Sequence, residues 1–318
     1  VTPSYNQAAY LEQTLNSVLG QDYPRLEYLV VDGASSDGSL GIMRKYADKL
    51  SWWISEPDRG QAEAINKGLR RARGEIVAWL NSDDFYLPGA IQLAVQAFRE
   101  HPEAGLVYGD TLSVDEKSEP IYLAHYAQWS LANLLAFDIL GQPAVFMRRD
   151  VLEQTGYIDP SYHFLLDHQL WLRFAALTPM VYTPRRLAAG RYHAAAKNVA
   201  RAAEFGREAY RILEWAESQP QIAPILAANR RRAWAGAHRF NARYLLDADQ
   251  AWPSLKSYWR SLSTHAPTAL VEWKRILFAL LSLFGLGGLR AAYNRRRQQH
   301  ARQQALSDLD GTGYNRQV

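Results

Sequence analysis

Asp83 and Asp84 stand side by side at the end of an apolar run, Ile76-Val77-Ala78-Trp79-Leu80-Asn81-Ser82-Asp83-Asp84. Two adjacent like charges at a sheet edge stay ionised at low cost only with positive charge beside them. A divalent cation is the simplest source of it. Ligands of open α/β sheets bind at the carboxyl ends of the strands, where this run delivers the pair. Taken alone, the pair reads equally well as a solvated turn capping a helix that begins near Pro88. Three further polar clusters keep it company: Thr2-Pro3-Ser4-Tyr5-Asn6, the loop from Asp32-Gly33 through Asp37-Gly38-Ser39, and Leu166-Asp167-His168-Gln169-Leu170-Trp171-Leu172-Arg173.

Elements that could position these residues follow from periodicity. Leu11, Leu15, Val18 and Leu19 share one helical face. Leu26 to Val31 reads as a buried strand ending at Asp32-Gly33, and Ile76 to Leu80 as another, preceded by Gly74. A helix is expected from about Ser39 to Asp48, a short strand at Trp52-Trp53-Ile54, and a helix carrying Ala64, Ile65, Gly68 and Leu69 with a Glu63–Lys67 pair. A helix over Ile91–Phe98 and a strand over Gly105–Tyr108 continue the alternation. The pattern argues for a mainly parallel α/β sheet, which sets the first three clusters along one edge. Beyond it, Pro143–Met147 reads as a strand, Asp150–Gly156 as a short helix, and Asp167–Leu177 as an amphipathic helix that Asp167 opens. From about Ala195 the chain reads as helical, with breaks at Pro220, Pro224, Pro253 and Pro267.

Composition bounds the chemistry. The chain has 318 residues, 48% hydrophobic and 21% charged, a globular composition. It has no cysteine, which excludes disulfides, thiolate zinc sites and a cysteine nucleophile, and fits a reducing compartment. No signal peptide is visible; Val1-Thr2-Pro3 looks like the tail of a strand, and no initiator Met is present. Residues 1–200 carry 18 Lys/Arg against 23 Asp/Glu, whereas 201–318 carry 18 against 9. An acidic half joined to a basic tail points to an anionic partner for the tail.

In order along the chain, the clusters resemble the family 2 glycosyltransferases. The likeness runs from Val1 to about Asn198. It rests on Thr2-Pro3-Ser4-Tyr5-Asn6-Gln7, Val30-Val31-Asp32-Gly33 with Ser36-Asp37-Gly38-Ser39, Glu56-Pro57-Asp58-Arg59-Gly60-Gln61, and Ala64-Ile65-Asn66-Lys67-Gly68. Asn81-Ser82-Asp83-Asp84 in the family's DXD region, Gly141-Gln142-Pro143-Ala144-Val145-Phe146 and Asp167–Arg173 complete it. The resemblance implies a GT-A fold, a Rossmann-like sheet flanked by helices, here followed by a C-terminal helical extension. It divides the chain into a nucleotide-sugar half (1–110), an acceptor half (111–200) and a basic extension (201–318).

It also implies roles. Asp32 would bind the nucleobase, with Pro3, Tyr5, Asn6 and Asp37 around the donor. Asp83 would contact ribose or sugar, and Asp84 would hold Mg²⁺ or Mn²⁺ against the diphosphate. Asp167 would be the general base of an inverting transfer, a role compatible with capping its helix. His193 falls where related enzymes often present a His to metal or diphosphate; a structural His is the alternative. The chain departs from the pattern at Leu166, where the family often has Glu, at Asn81, a frequent Asp, and at Glu63, where Asp is usual.

The reaction so implied moves a sugar from a nucleoside-diphosphate donor, a UDP-sugar foremost, to a glycan or lipid-linked hydroxyl in cell-surface polysaccharide or glycolipid synthesis. A sugar-phosphate nucleotidyltransferase would show a Gly-rich basic phosphate loop near the N-terminus, and none is seen. A non-catalytic sugar-binding protein is the other alternative, against which Asp84 and Asp167 argue. The basic tail carries no recognisable nucleic-acid module, so nucleic acid is not an expected partner. Its apolar stretch Ile276–Leu289 has basic flanks and only 14 residues, short of the roughly 20 needed to span a bilayer. It is expected to lie in an anionic membrane interface or to pack as an ordinary helix. The expected location is the cytoplasm, peripheral on the inner face of the plasma membrane, with a disordered end from about Gln298.

Overall fold

The structure, a computed structural model, describes residues 1–193 and 201–286, together with 288, 295, 296, 299, 302 and 303. Residues 1–128 and 140–191 form one compact unit, and 129–139 with the described residues from 192 on form a second.

The first unit is an α/β sheet with helices. Strands β1 (Thr2–Ser4), β2 (Leu29–Asp32) and β3 (Trp52–Ser55) pair in parallel, with Ser4 opposite Asp32 and Asp32 opposite Ser55. Helices α1 (Ala8–Leu19), α2 (Ser39–Tyr46) and α3 (Gln61–Arg71) connect and follow them. Leu11, Leu15 and Val18 of α1 are buried, the stripe read from the sequence. Gly68 lets α3 lie against β1: an added Cβ there would meet the Val1 side chain at 2.2 Å.

The expected strand Ile76–Leu80 changes partner midway. Its first part, β4 (Ile76–Val77), pairs antiparallel with β8 (Val145–Arg148). Val1 N then donates to Ala78 O, and Leu80 N donates to Val1 O, both at 2.9 Å. Those two bonds join the parallel strands to a second, mixed sheet. There β6 (Leu106–Val114) pairs antiparallel with β8 and β7 (Pro120–Ala124) and parallel with β9 (Met180–Arg191). Strand β5 (Phe85–Tyr86) closes the order against β9. Parallel pairing is thus confined to β1–β2–β3 and β6–β9. The expected boundary at residue 110 falls inside β6, all nine residues of which are buried.

Helices α4 (Ala90–Glu100), α6 (Arg149–Thr155) and α7 (Leu166–Leu177) complete this unit, α5 (Leu131–Leu135) belonging to the second. The expected Glu63–Lys67 pair does not form. Lys67 pairs with Glu56, and Glu63 accepts the Arg59 N–H at 2.8 Å across the start of α3. A helix start leaves N–H groups to satisfy, and the carboxylate serves better there than on a solvated pair. A cavity of about 530 Å³ lies at the other, N-terminal end of the strands, lined by Tyr28, Leu29, Ile76, Val77, Phe98 and Phe146, and none of the expected site residues borders it.

The second unit is helical. It packs the short helix Leu131–Leu135 with helices Phe205–Glu217, Ala223–Ala228, Arg230–Asp247, Ala251–Leu270 and Trp273–Leu283. Pro224 and Pro253 do not break helices; they sit in first turns, where a missing N–H costs nothing. Pro267 does interrupt its helix, through a non-helical His265.

Candidate active site

The donor side is built from loops that cap one another. Three N–H groups at the start of α1 find partners in the loop after β2: Asn6 N on Ser35 Oγ (2.8 Å), Gln7 N on Ser39 Oγ (3.2 Å) and Ala8 N on Asp37 Oδ2 (2.8 Å). Asn6, at φ 52°, returns the contact by accepting Ser36 N with its side chain at 2.8 Å. Asp37 Oδ1 takes the Ser39 amide and hydroxyl at the start of α2. Burial pushes the Asp37 carboxyl up, but the bonds from Ser39 and Ala8 hold it below the usual carboxylate range. Asp37 and Asn6 therefore bracket the two helix starts.

Asp32 is fully buried and accepts three bonds: Ser35 N (2.9 Å), Ser35 Oγ (2.5 Å) and Ser55 Oγ (2.7 Å). Gly33 lets Asp58 and Tyr5 approach here: a Cβ would stand 2.7 Å from Asp58 Oδ2 and 3.2 Å from the Tyr5 ring, so those side chains would have to shift. Pro3 is buried in β1, whereas Tyr5 is exposed at its end. Asp58, in a stretch quoted above but given no role there, is brought to this corner by the close approach.

The acidic pair lies in the loop between the Val1-paired stretch and β5. Thr14 of α1 pins that loop, its hydroxyl 2.9 Å from Ser82 O and 2.7 Å from Asp84 O. Asp83 is half-buried; Asp84 is only 8% exposed. Asp84 Oδ1 accepts the Arg191 backbone N–H at 2.9 Å, and its Oδ2 is 3.4 Å from the Asn81 amide. Burial, reinforced by the Asp83 charge, pushes the Asp84 carboxyl well above the ordinary range, against the pull of Arg191 and Asn81.

Arg191 is the organising side chain here. Its guanidinium donates to Asp83 O (2.9 Å), Asp115 O (3.0 Å), Glu116 O (3.1 Å), Ser118 Oγ (3.1 Å) and Gln13 Oε1 (2.6 Å). It lies 4.6 Å from the Tyr10 ring centre and 5.6 Å from that of Phe85. Its N–H groups thus go to carbonyls and neutral side chains, and no ion pair to Asp84 forms. Asn81 takes the centre of a second network. It accepts Gln61 Nε2 (2.8 Å) and donates to Gln142 Oε1 (3.0 Å), while Gln142 donates to Trp79 O (2.9 Å). An Asp at 81 would add a third carboxylate and could not donate to Gln142, so the amide suits this loop.

Asp167 opens α7, half-buried, with Oδ1 accepting the His168 N–H at 2.7 Å. Its helix is registered twice. Trp171, one turn on, stacks on Trp79 with ring centres 5.2 Å apart and planes at 22°, both rings buried. Behind it, Asn66 of α3 grips the approach: Asn66 Nδ2 donates to Ile158 O (2.8 Å) and Asn66 Oδ1 accepts Ile158 N (3.0 Å). Arg173 holds Thr155 O, Gly156 O and Tyr157 O, and burial lowers its pKa to about 10. The stacked indoles set α7 against the loop that ends in Asp84.

His193 is buried and belongs to the second unit. Among the described residues no group of three His, Cys, Asp or Glu side chains is close enough to hold a metal ion. Mg²⁺ needs no such cage; one or two carboxylates plus substrate phosphates suffice. Asp84 fits that demand, as a hard oxygen donor whose charge lacks a bonded cation, with Asp83 beside it. Sequence reasoning passed over Gln61, Gln142, Asn66 and Arg191 as site residues. The first three stand in the quoted motifs, and nothing local marks an arginine that will be buried.

Known proteins resemble this chain in sequence and in fold. A putative teichuronic acid biosynthesis glycosyltransferase of Bacillus subtilis, TuaG, is 33% identical over 178 residues, 54% of this chain and 69% of that protein. An uncharacterized glycosyltransferase of Rickettsia typhi is 26% identical over 201 residues, 61% of this chain. The chain spans 63% of that relative's length. Among solved structures, S. aureus TarS in complex with UDP-GlcNAc matches with a TM-score of 0.59 at 17% identity, over 84% of this chain and 89% of that one. The mannosyltransferase PcManGT from Pyrobaculum calidifontis, in complex with GDP-Man and Mn²⁺, matches with a TM-score of 0.59 at 22% identity, over 93% and 84%. At such identities the likeness establishes the GT-A fold. A model described as Glycosyl transferase family 2 matches residues 1–167, more than half the chain. On that match the chain belongs to glycosyl transferase family 2.

Proposed function

We propose that the protein is an inverting glycosyltransferase, moving a sugar from a nucleoside-diphosphate donor to a hydroxyl acceptor in cell-surface polysaccharide or glycolipid synthesis. The observation that carries this reading is Asp84: a buried carboxylate, pushed toward its neutral form, in a family 2 domain. A UDP-sugar is the donor we favour, with TarS bound to UDP-GlcNAc as support and PcManGT bound to GDP-Man as the competing precedent. A glycan or lipid-linked hydroxyl is the acceptor we favour, with the putative teichuronic acid biosynthesis relative as support. The inner face of the plasma membrane is the proposed location.

In this reading the nucleobase lies against Tyr5 and Pro3 over Gly33. Asp32 has three of its roughly four acceptor sites filled. It takes one more N–H from the base when the Ser35 hydroxyl moves aside. Asn6 and Asp37 act indirectly, by holding the loops on which the base rests. Asp83 meets the ribose or sugar, and Asp84 would hold Mg²⁺ or Mn²⁺. When bound there, the ion would supply positive charge where the diphosphate leaving group gains negative charge. Asp167 takes the proton of the acceptor hydroxyl as that oxygen attacks the anomeric carbon. The bond to the diphosphate breaks on the opposite face, so configuration inverts. The stacked Trp79 and Trp171 keep base and donor loop in register.

Nucleotide sugars are screened with Mn²⁺ for diphosphate release and thermal stabilisation. Asp167→Asn should keep stabilisation by the active donor and lose about a hundredfold or more in turnover. Asp84→Ala should lose both. Full turnover in Asp167→Asn would remove Asp167 from the mechanism.

A further inference from the structure

The helix Ala251–Leu270 is inverted in polarity. Before the non-helical His265, its buried face is made of Ser254, Ser257, Tyr258 and Ser261. The three serines donate to carbonyls of the neighbouring helix Arg230–Asp247: Ser254 Oγ to Ala242 O (2.8 Å), Ser257 Oγ to His238 O (2.8 Å) and Ser261 Oγ to Ala235 O (2.7 Å). Two of the three accepting residues, Ala235 and Ala242, are themselves small and buried. The tryptophans point the other way. Trp252 and Trp259 are 56% and 70% exposed, and their spacing of seven sets them on one stripe, opposite the serines at about 100° per residue. An ordinary surface helix does the reverse.

The next helix, Trp273–Leu283, repeats the arrangement. Ala279 is its one buried residue. Trp273, Leu277, Leu280 and, at the helix end, Phe284 are all exposed, and they fall within about 60° of one another on the far side from Ala279. Trp273 is 54% exposed and Phe284 77%. Large apolar side chains on two successive helices exceed the scatter of single hydrophobics usual on a soluble surface.

Charge selects what covers them. Between residues 251 and 286 the sole acid is Glu272. It is withdrawn from the surface, bonded by Arg243 and by the Tyr258 hydroxyl (2.8 Å). The exposed charges are Lys256, Arg260 and Lys274, and two of these lie over exposed indoles: Lys256 is 5.2 Å from the Trp252 ring centre, and Lys274 5.6 Å from that of Trp273. A second copy of the chain would bring cations against cations. No described helix is long and apolar enough to cross a membrane. Tryptophan, phenylalanine and leucine ringed by Lys and Arg, with no exposed acid within residues 251–286, match the anionic headgroup layer of a bilayer. Small-residue packing with serine-to-carbonyl bonds is also how helices associate when their large apolar side chains face lipid.

We propose that the face formed by Trp252, Trp259, Trp273, Leu277, Leu280 and Phe284, with Lys256, Arg260 and Lys274, docks on an anionic lipid surface. This rests on the reading above that a membrane is a partner, and it moves the contact. The expected segment Ile276–Leu289 contributes its described part only, and the docking face starts a helix earlier, with residues 287 and 289 lying outside the described residues.

The test is co-sedimentation of the full chain with phosphatidylcholine vesicles, with and without about one third phosphatidylglycerol. The protein should pellet with the anionic vesicles alone. Trp252→Ser/Trp259→Ser/Trp273→Ser/Phe284→Ser should bind more than about tenfold more weakly, and Lys256→Gln/Arg260→Gln/Lys274→Gln on the order of a hundredfold more weakly. Both sets lie at the surface, so urea midpoints should match the parent. Absence of binding by the parent, or equal binding by the stripped variants, overturns the proposal. So does a parent dimer in sedimentation equilibrium that the aromatic variant dissolves, since the face would then cover a second copy. Diphosphate release from the active nucleotide sugar is measured in parallel, in solution. Its loss with vesicle binding intact counts against the catalytic reading alone, and binding lost with release intact confines the change to this face.

Discussion

Asn66→Ala tests the claim that the site is held from behind. Asn66 is 4% exposed and makes two bonds to one residue, donating to Ile158 O at 2.8 Å and accepting Ile158 N at 3.0 Å. Ile158 is buried as well, so no water replaces the amide. Truncation leaves one buried carbonyl and one buried N–H without partners, each costing about 1–3 kcal/mol. The expected loss is about 2–6 kcal/mol, read as a drop of roughly 4–24 °C in Tm for a unit of this size. Asn66→Asp should recover only part, because it keeps the acceptor for Ile158 N but sets a carboxylate against Ile158 O. The stretch after Ile158 leads to α7 and Asp167, so kcat should fall while the KM for the donor stays nearly constant. Urea denaturation and donor-saturated kinetics measure the two effects. A stability loss under about 0.5 kcal/mol would refute the reasoning, since it would mean that Ile158 finds other partners at no cost.

Two further outcomes follow from the acidic loop. Held in chelator, the protein should lose stability as pH rises from about 4 through the raised pKa of Asp84: the unfolded carboxyl ionises first, so the folded state binds the extra proton across that window. Asp84→Asn should flatten the slope, and Mn²⁺ should offset it in the parent alone; urea midpoints against pH decide both. Arg191→Met removes five guanidinium contacts and should cost about 3 kcal/mol or more in urea denaturation. It also removes the nearest positive charge, so the stability slope due to Asp84 should extend to higher pH.

Much of the first unit was legible because its signals are local. The apolar stripe of α1, the strand ending at Asp32-Gly33 and the amphipathic α3 are written in period and punctuation, and the quoted motifs lie where the loops cap one another. The 76–80 run was harder. Its apolar pattern is that of one strand, but half pairs with β8 and half with Val1, and hydrogen-bond partners leave no mark on hydropathy. The Glu63–Lys67 spacing was right for a pair, yet Glu56 and the Arg59 N–H offered each group a better partner. The interfacial expectation rests on the most apolar window, Ile276–Leu289, whereas large exposed apolar side chains begin earlier, at Trp252 and Trp259, in a helix whose serines conceal its polarity.

By itself the sequence determined which chemistry is present: the Asp83-Asp84 pair, Asp32-Gly33 and Asp167 in an order that matches one family, with no cysteine to offer another. Tertiary structure alone decided how those groups are used. Burial turned Asp84 into a carboxylate short of a counter-charge, while the same kind of side chain at Asp37 became a helix bracket. It also chose Arg191, Asn66 and the Trp79–Trp171 stack as their supports. The physical reason is that the free energy of a charge or a hydrogen bond depends on how much water its surroundings exclude, and that is a property of residues distant in the chain.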